Sequence, residues 1–178
     1  MKLHLGCGKN IKEGYINIDK YIQLPGIENL DILNLPYQDN SVDEILSEHL
    51  VEHIGFADEE KFWKECTRLL KQGGTLITET PDFEWLCKQF IEAEDSFKEF
   101  YQVGARDHYF GNGLSADQRW GIITTHFLGN QNGEGQFHQN AYTTQKFIRI
   151  AEMLDFTGCT VVKKFNKGAQ VLIATMVK

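Results

Sequence analysis

The chain has 178 residues, 42% of them hydrophobic and 24% charged, which suits one domain with a proper core. Its formal net charge of −7 comes without any clustered basic stretch. That disfavours nucleic acid as a partner, because phosphate neutralisation needs a basic face. No apolar run approaches the roughly 18 residues of a membrane span.

Met1-Lys2-Leu3-His4-Leu5 runs straight into a glycine turn, without the long apolar stretch of a secretion signal, so a cytoplasmic location is expected. Cys7, Cys66, Cys87 and Cys159 are scattered and form no C-x-x-C pair. They read as small buried apolar residues in a reducing compartment rather than a disulfide framework or a zinc site.

In chain order, Lys2 to Leu5 is a short apolar strand that ends in Gly6-Cys7-Gly8. Tyr15 to Ile18 follows as a second strand ending at Asp19, and a third is expected to end at Asp31-Ile32. The turn chemistry of Leu35 to Ser41 precedes a fourth strand, Val42 to Leu46. Phe62, Trp63, Cys66, Leu69 and Leu70 make one apolar stripe, predicting a helix from Glu59 to Lys71, capped by Asp58 and stopped by Gly73-Gly74. Thr75 to Glu79 is a fifth strand. Asp82 opens a helical pattern that places Phe83, Leu86, Cys87, Phe90 and Ile91 on one face.

From Gly104 to Asn140 periodicity vanishes, and a loop that long inside a domain is usually functional. A last helix is expected over Thr144 to Asp155, with Phe147, Ile150, Ala151 and Leu154 inward and Gly158 ending it. Thr160 to Phe165 and Ala169 to Val177 then form an antiparallel hairpin about Asn166-Lys167-Gly168. The order predicts an α/β fold, Rossmann-like, mostly parallel, with one antiparallel edge and a shortened first crossover.

A strand running into Gly-x-Gly brings bare backbone close to a ligand, and an acid ending the next strand suits a ribose. Gly6, Gly8 and Asp19 occupy those places, but such pairs are common. Further pieces follow in order. His4 to Asn10 resembles the first motif of class I S-adenosylmethionine-dependent methyltransferases, and Tyr15-Ile16-Asn17-Ile18-Asp19 resembles their second strand with its acid. Asp31-Ile32 resembles the pair flanking the adenine. Leu35 to Ile54 is the strongest match, similar to the fourth strand and the segment after it in that family, and Arg68 to Leu76 resembles the next helix end and strand. Two features depart from the family: no full crossover helix fits between Gly8 and Tyr15, and Asn10 stands where many relatives have a third glycine.

The resemblance implies S-adenosylmethionine as cofactor, with S-adenosylhomocysteine as product. It implies that Gly6, Cys7 and Gly8 line the methionine end, Asp19 the ribose, Asp31 and Ile32 the adenine, and Glu48 and His49 the far rim, with Leu5, Lys20 and Leu33 among the cofactor-binding residues. It also implies a single methyltransferase domain with residues 83–140 as a lid or substrate-binding insertion. The expected reaction is methyl transfer, at oxygen, to a small-molecule or carbohydrate acceptor. Two alternatives stay open, a non-catalytic nucleoside-binding protein and a nicotinamide-dependent oxidoreductase. The latter should show G-x-G-x-x-G opening a helix.

Methyl transfer from a sulfonium mainly needs alignment and exclusion of water, although a hydroxyl acceptor benefits from a histidine base. His4 reads as structural. His49 and His53 are four apart with no third ligand near them and no H-E-x-x-H pattern, so no metal is expected. His138, in a loop resembling the "GGQ…G…H…Y" segment of small relatives, is the candidate active-site histidine; the alternative is a loop histidine that holds a backbone carbonyl. Tyr109, His126 and Gln131 are candidate substrate residues. Tyr101, Phe110, Trp120, Phe127 and Phe137 are aromatics of which one or two are expected at the site and the rest in packing.

Overall fold

The computed structural model describes residues 1–92, 119–166 and 168–178. Among these residues seven strands form one sheet in the order β3-β2-β1-β4-β5-β7-β6. They are β1 (Lys2–Leu5), β2 (Ile16–Ile18), β3 (Ile27–Glu28), β4 (Val42–Glu48), β5 (Leu70–Pro81), β6 (Gly158–Asn166) and β7 (Ala169–Val177). The first five run parallel, while β7 pairs antiparallel with both β5 and β6. The helices are α1 (Phe56–Leu69), α2 (Phe83–Glu92), α3 (Arg119–Leu128) and α4 (Thr144–Met153). This is the expected mostly parallel sheet with an antiparallel C-terminal hairpin. Among the described residues no helix is long and apolar enough to cross a membrane.

The core follows from the pleat. Leu3, Leu5, Ile45, Leu76, Leu172 and Ala174 are buried on adjacent strands, and α1 adds Phe62, Trp63, Cys66 and Leu69. From α4, Phe147 and Ala151 complete it, with Ile150 and Leu154 packed at its margin. A second, small cluster joins α2 to α3 through Leu86 and Ile123, with Trp85, Phe90 and Phe127 around them.

Several boundaries differ from the sequence expectations, each for a local reason. The third strand stops at Glu28, because Asp31 turns the chain back by accepting from Leu33 N at 3.0 Å. Helix α1 starts at Phe56 with Gly55 as its cap, so Asp58 sits in the first turn and does not cap it. Gly73-Gly74 does not stop α1. The helix ends at Leu69, where the Lys178 ammonium reaches the carbonyls of Thr67 (2.6 Å) and Leu70 (2.7 Å), and Gly73-Gly74 lies inside β5. Asp155, at φ 56°, takes the left-handed turn after α4, leaving Gly158 to open β6. On α2, Leu86 is buried but Ile91 is 81% exposed. The stretch 119–128, read from sequence as irregular, is the helix α3.

No helix lies between β1 and β2, and a side chain replaces it. Asn17 is buried; its Oδ1 accepts from Lys12 N at 2.9 Å, and its Nδ2 donates to the carbonyls of Lys12 and Tyr15. His4 Nδ1 meets the same Oδ1 at 3.0 Å, which makes His4 the structural residue its place in β1 suggested.

Candidate active site

The carboxyl ends of β1, β2 and β4 lie side by side, and the loops leaving them make the candidate site. Gly6 takes φ 62°, and a Cβ there would lie 2.6 Å from Leu50 Cδ1, so only glycine fits this turn. Leu5 is fully buried, and its side chain belongs to the core. Cys7 is also buried, with N donating to Ile18 O at 3.0 Å. Burial, with the Asp19 charge, pushes its thiol up to about 11, so it is inert.

Asp19 organises this turn. One carboxylate oxygen accepts from Gly8 N at 2.8 Å, and the other from Tyr21 N and Ile22 N at 2.9 and 3.0 Å. Lys20 pairs with Asp31 at 3.2 Å, which links the two loops beyond β2 and β3. A backbone hydrogen bond from Leu33 leads in holding the Asp31 carboxyl below its usual range. Ile32 and Leu33 are half-buried beside it. Glu48, at the tip of β4, accepts from Asn10 Nδ2 (3.3 Å) and Lys12 Nζ (3.2 Å). Asn10, at the place of the missing third glycine, thus ties the abbreviated crossover to β4.

Past β4 the chain turns through His49, at φ 52°, into a 3-10 turn over Val51–His53. His49 precedes that turn, so it and His53 do not share a helical face. His49 Nδ1 meets Glu52 at 3.1 Å and its Nε2 meets Glu79 at 3.3 Å. Burial opposes its charge, but these two carboxylates outweigh it and raise the imidazole to about 10. His49 is therefore a cation at neutral pH and not a base. Glu52 is 2% exposed and also accepts from Thr80 Oγ1 at 2.9 Å.

The segment after α3 folds onto this turn. Gln139 N and Asn140 N both donate to Glu52 O, at 2.7 and 3.0 Å. His138 Nδ1 donates to His126 O at 2.8 Å, and its ring stands edge-on to His53 with centroids 4.6 Å apart. Burial lowers the His138 imidazole to about 4, which keeps it neutral. The loop between Gly129 and Phe137 reaches back across the site, where a Cβ on Gly135 would lie 2.5 Å from the Tyr21 ring.

Residues 10–78 match a protein family described as "Methyltransferase domain". Over 47 residues the chain is 43% identical to ajmaline N-methyltransferase of Rauvolfia serpentina, a stretch of 26% of this chain and 16% of that enzyme. The chain thus spans a small part of that curated relative. Solved structures align over 99% of the chain. A SAM-dependent methyltransferase from Archaeoglobus fulgidus does so with TM-score 0.63, 14% identity and 85% of its own length. A second, from Thermotoga maritima and described as a possible histamine N-methyltransferase, gives 0.57, 15% and 82%. The 1,6-didemethyltoxoflavin-N1-methyltransferase of Burkholderia thailandensis, solved with S-adenosylhomocysteine, gives 0.60, 11% and 70%. Residues 10–78 thus match a methyltransferase domain, and the whole chain shares the fold of SAM-dependent methyltransferases.

The match to the methyltransferase family and the neighbour solved with S-adenosylhomocysteine support S-adenosylmethionine as cofactor. In this chain the expected cofactor residues Gly6, Cys7, Gly8, Asp19, Lys20, Asp31 and Glu48 fall on neighbouring loops at the carboxyl end of the sheet. His126 lies near His49, with ring centroids 6.4 Å apart. Gln131 is exposed in the returning loop. Tyr109 lies outside the described residues, as do Tyr101 and Phe110. Phe127 packs on Phe83 and Phe90, and Phe137 is 48% exposed. Sequence reasoning passed over Glu52, Glu79 and Thr80. Glu52 stood next to His53 in the sequence, but nothing local there signalled its burial. A groove of about 720 Å³ runs from Leu33 along α1 to Arg68 and takes in none of the glycine turn.

Proposed function

We propose that the protein transfers a methyl group from S-adenosylmethionine to an oxygen of a small-molecule or carbohydrate acceptor. The observation that carries this reading is the hydrogen bond from Gly8 N to Asp19, which draws the glycine turn and the ribose-type acid into one cradle. Leu5, Gly6, Cys7 and Gly8 would border the methionine end through backbone. Asp19 and Lys20 would border the ribose, Asp31, Ile32 and Leu33 the adenine, and Glu48 and His49 the far rim. When bound, the cofactor supplies a methyl group on a sulfonium with a ready leaving group.

The chain's own residues then have to hold an acceptor and keep water out. Residues 83–140 are the proposed lid, a role supported by the contact of the Gly129–Phe137 loop with Tyr21. His138, His126, Gln131 and Tyr109 are the proposed acceptor-side residues. A pKa near 4 leaves His138 a weak base, suited to orienting an oxygen more than to removing its proton.

Calorimetry with S-adenosylhomocysteine and with NAD tests the reading, and binding of NAD alone overturns it. In the same assay Asp19→Ala should weaken S-adenosylhomocysteine at least tenfold, since it loses both the carboxylate and the hold on Gly8 N. An unchanged affinity in a folded variant removes Asp19 from the site.

A further inference from the structure

The fold brings His138, from far along the chain, to the adjacent pair Glu52 and His53. Among the described residues Glu52, His53 and His138 each present one ligand-type atom, and these atoms all lie within 4.8 Å of one another. We propose that these three residues bind one divalent transition-metal ion, through two imidazole nitrogens and one carboxylate oxygen.

Four features support this beyond proximity. His53 Nδ1 donates to Phe137 O at 3.0 Å and His138 Nδ1 to His126 O at 2.8 Å, so each ring has its tautomer set and keeps a lone pair on Nε2. Backbone carbonyls at Nδ1 are how proteins orient imidazoles for metals. Glu52 is held from both sides, by Thr80 Oγ1 at 2.9 Å and by His49 Nδ1 at 3.1 Å, and each of its oxygens keeps a further lone pair. A narrow cavity of about 10 Å³ beside the cluster, room for one water, is lined by Glu52, Thr80, His126 and His138 together with apolar residues such as Pro81 and Leu86, and His53 lies outside it. Finally, the backbone of 139–140 is bound to Glu52 O, so the ligand-bearing segments are already docked.

Two nitrogens and an oxygen around a partly buried point suit zinc or a neighbouring first-row ion, with a fourth position left open. Bonds of about 2.0–2.1 Å put tetrahedral donors roughly 3.4 Å apart, so loading draws these side chains in by about an ångström. The ion would cross-link the turn after β4 to the segment before α4. Any part it takes in polarising an acceptor rests on the methyl-transfer reading; its binding does not.

The test uses metal-free protein and no cofactor. Titration with Zn²⁺ in a calorimeter should give one site per chain, and Zn²⁺ should raise the thermal midpoint. His138→Ala and His53→Gln, each checked as folded by circular dichroism, should weaken Zn²⁺ at least a hundredfold. A Co²⁺ titration should show d–d bands without thiolate charge transfer. Absence of Zn²⁺ binding, equal binding by both variants, or a thiolate band would each overturn the site. S-adenosylhomocysteine binding is measured separately, so the failure of either idea leaves the other standing or falling on its own result.

Discussion

Asn17 does with one side chain what a crossover helix does elsewhere in parallel sheets. Its amide serves the backbone of Lys12 and Tyr15 and the ring of His4, all in a buried place where unpaired groups would cost heavily. Asn17→Ala should therefore lose about 1–3 kcal/mol. For a chain of this size that lowers the thermal midpoint by roughly 2–12 °C. Scanning calorimetry of the two proteins checks this, and an unchanged midpoint would deny the staple. Asp19 combines the same kind of backbone service with its proposed ligand role, so its substitution should be read for both folding and affinity. His49 is set apart from the other histidines by its two acidic neighbours, which keep it charged while His138 stays neutral.

At the scale of elements, the segment before β4 is held by Arg68 on α1. Its guanidinium donates to the carbonyls of Leu35 and Tyr37 and pairs with Asp39 and Glu65, while Glu65 also accepts from Leu35 N at 2.8 Å. Arg68 is the main cause that holds the Glu65 carboxyl below its usual range. A carboxyl with a lowered folded pKa lends stability that is present above about pH 4.5 and fades as pH falls through the folded value. Arg68→Ala should destabilise the protein at neutral pH by about 1–3 kcal/mol, since two carbonyls lose their donors. It should also flatten the acid limb below about pH 4.5. Urea midpoints measured across that range test both, and parallel acid limbs would separate Glu65 from Arg68. Helix α3 teaches a different lesson. Gly121 and the run Ile122-Ile123-Thr124-Thr125 have weak helix propensity, so the local signal was poor. Packing of Ile123 on Leu86 and of Phe127 on Phe83 and Phe90 makes the helix.

For the whole molecule, a ligand that binds only the folded state raises its stability by mass action. S-adenosylhomocysteine at a hundred times its dissociation constant should add about 2.7 kcal/mol. The thermal midpoint should then rise by roughly 5–10 °C. A scan with NAD alongside should show no such rise, and the reverse pattern would favour the oxidoreductase. Much of this architecture was legible in the chain. The alternation of Val42 to Glu48, the stripe of Phe62 to Leu69 and the Asn166 to Gly168 turn are local patterns, set by neighbours two to four residues away. Gly6-Cys7-Gly8 and Asp19 were readable for the same reason, since each follows directly on a strand, whereas Asp31 lies beyond β3, which stops at Glu28. Tertiary structure alone decided the rest. Lys178 ends α1, α3 forms on α2, and His138 arrives beside Glu52 and His53 because Gln139 and Asn140 bind the Glu52 carbonyl. Contacts between residues distant in sequence leave no periodicity behind, so a third donor for His53 had to be found in space.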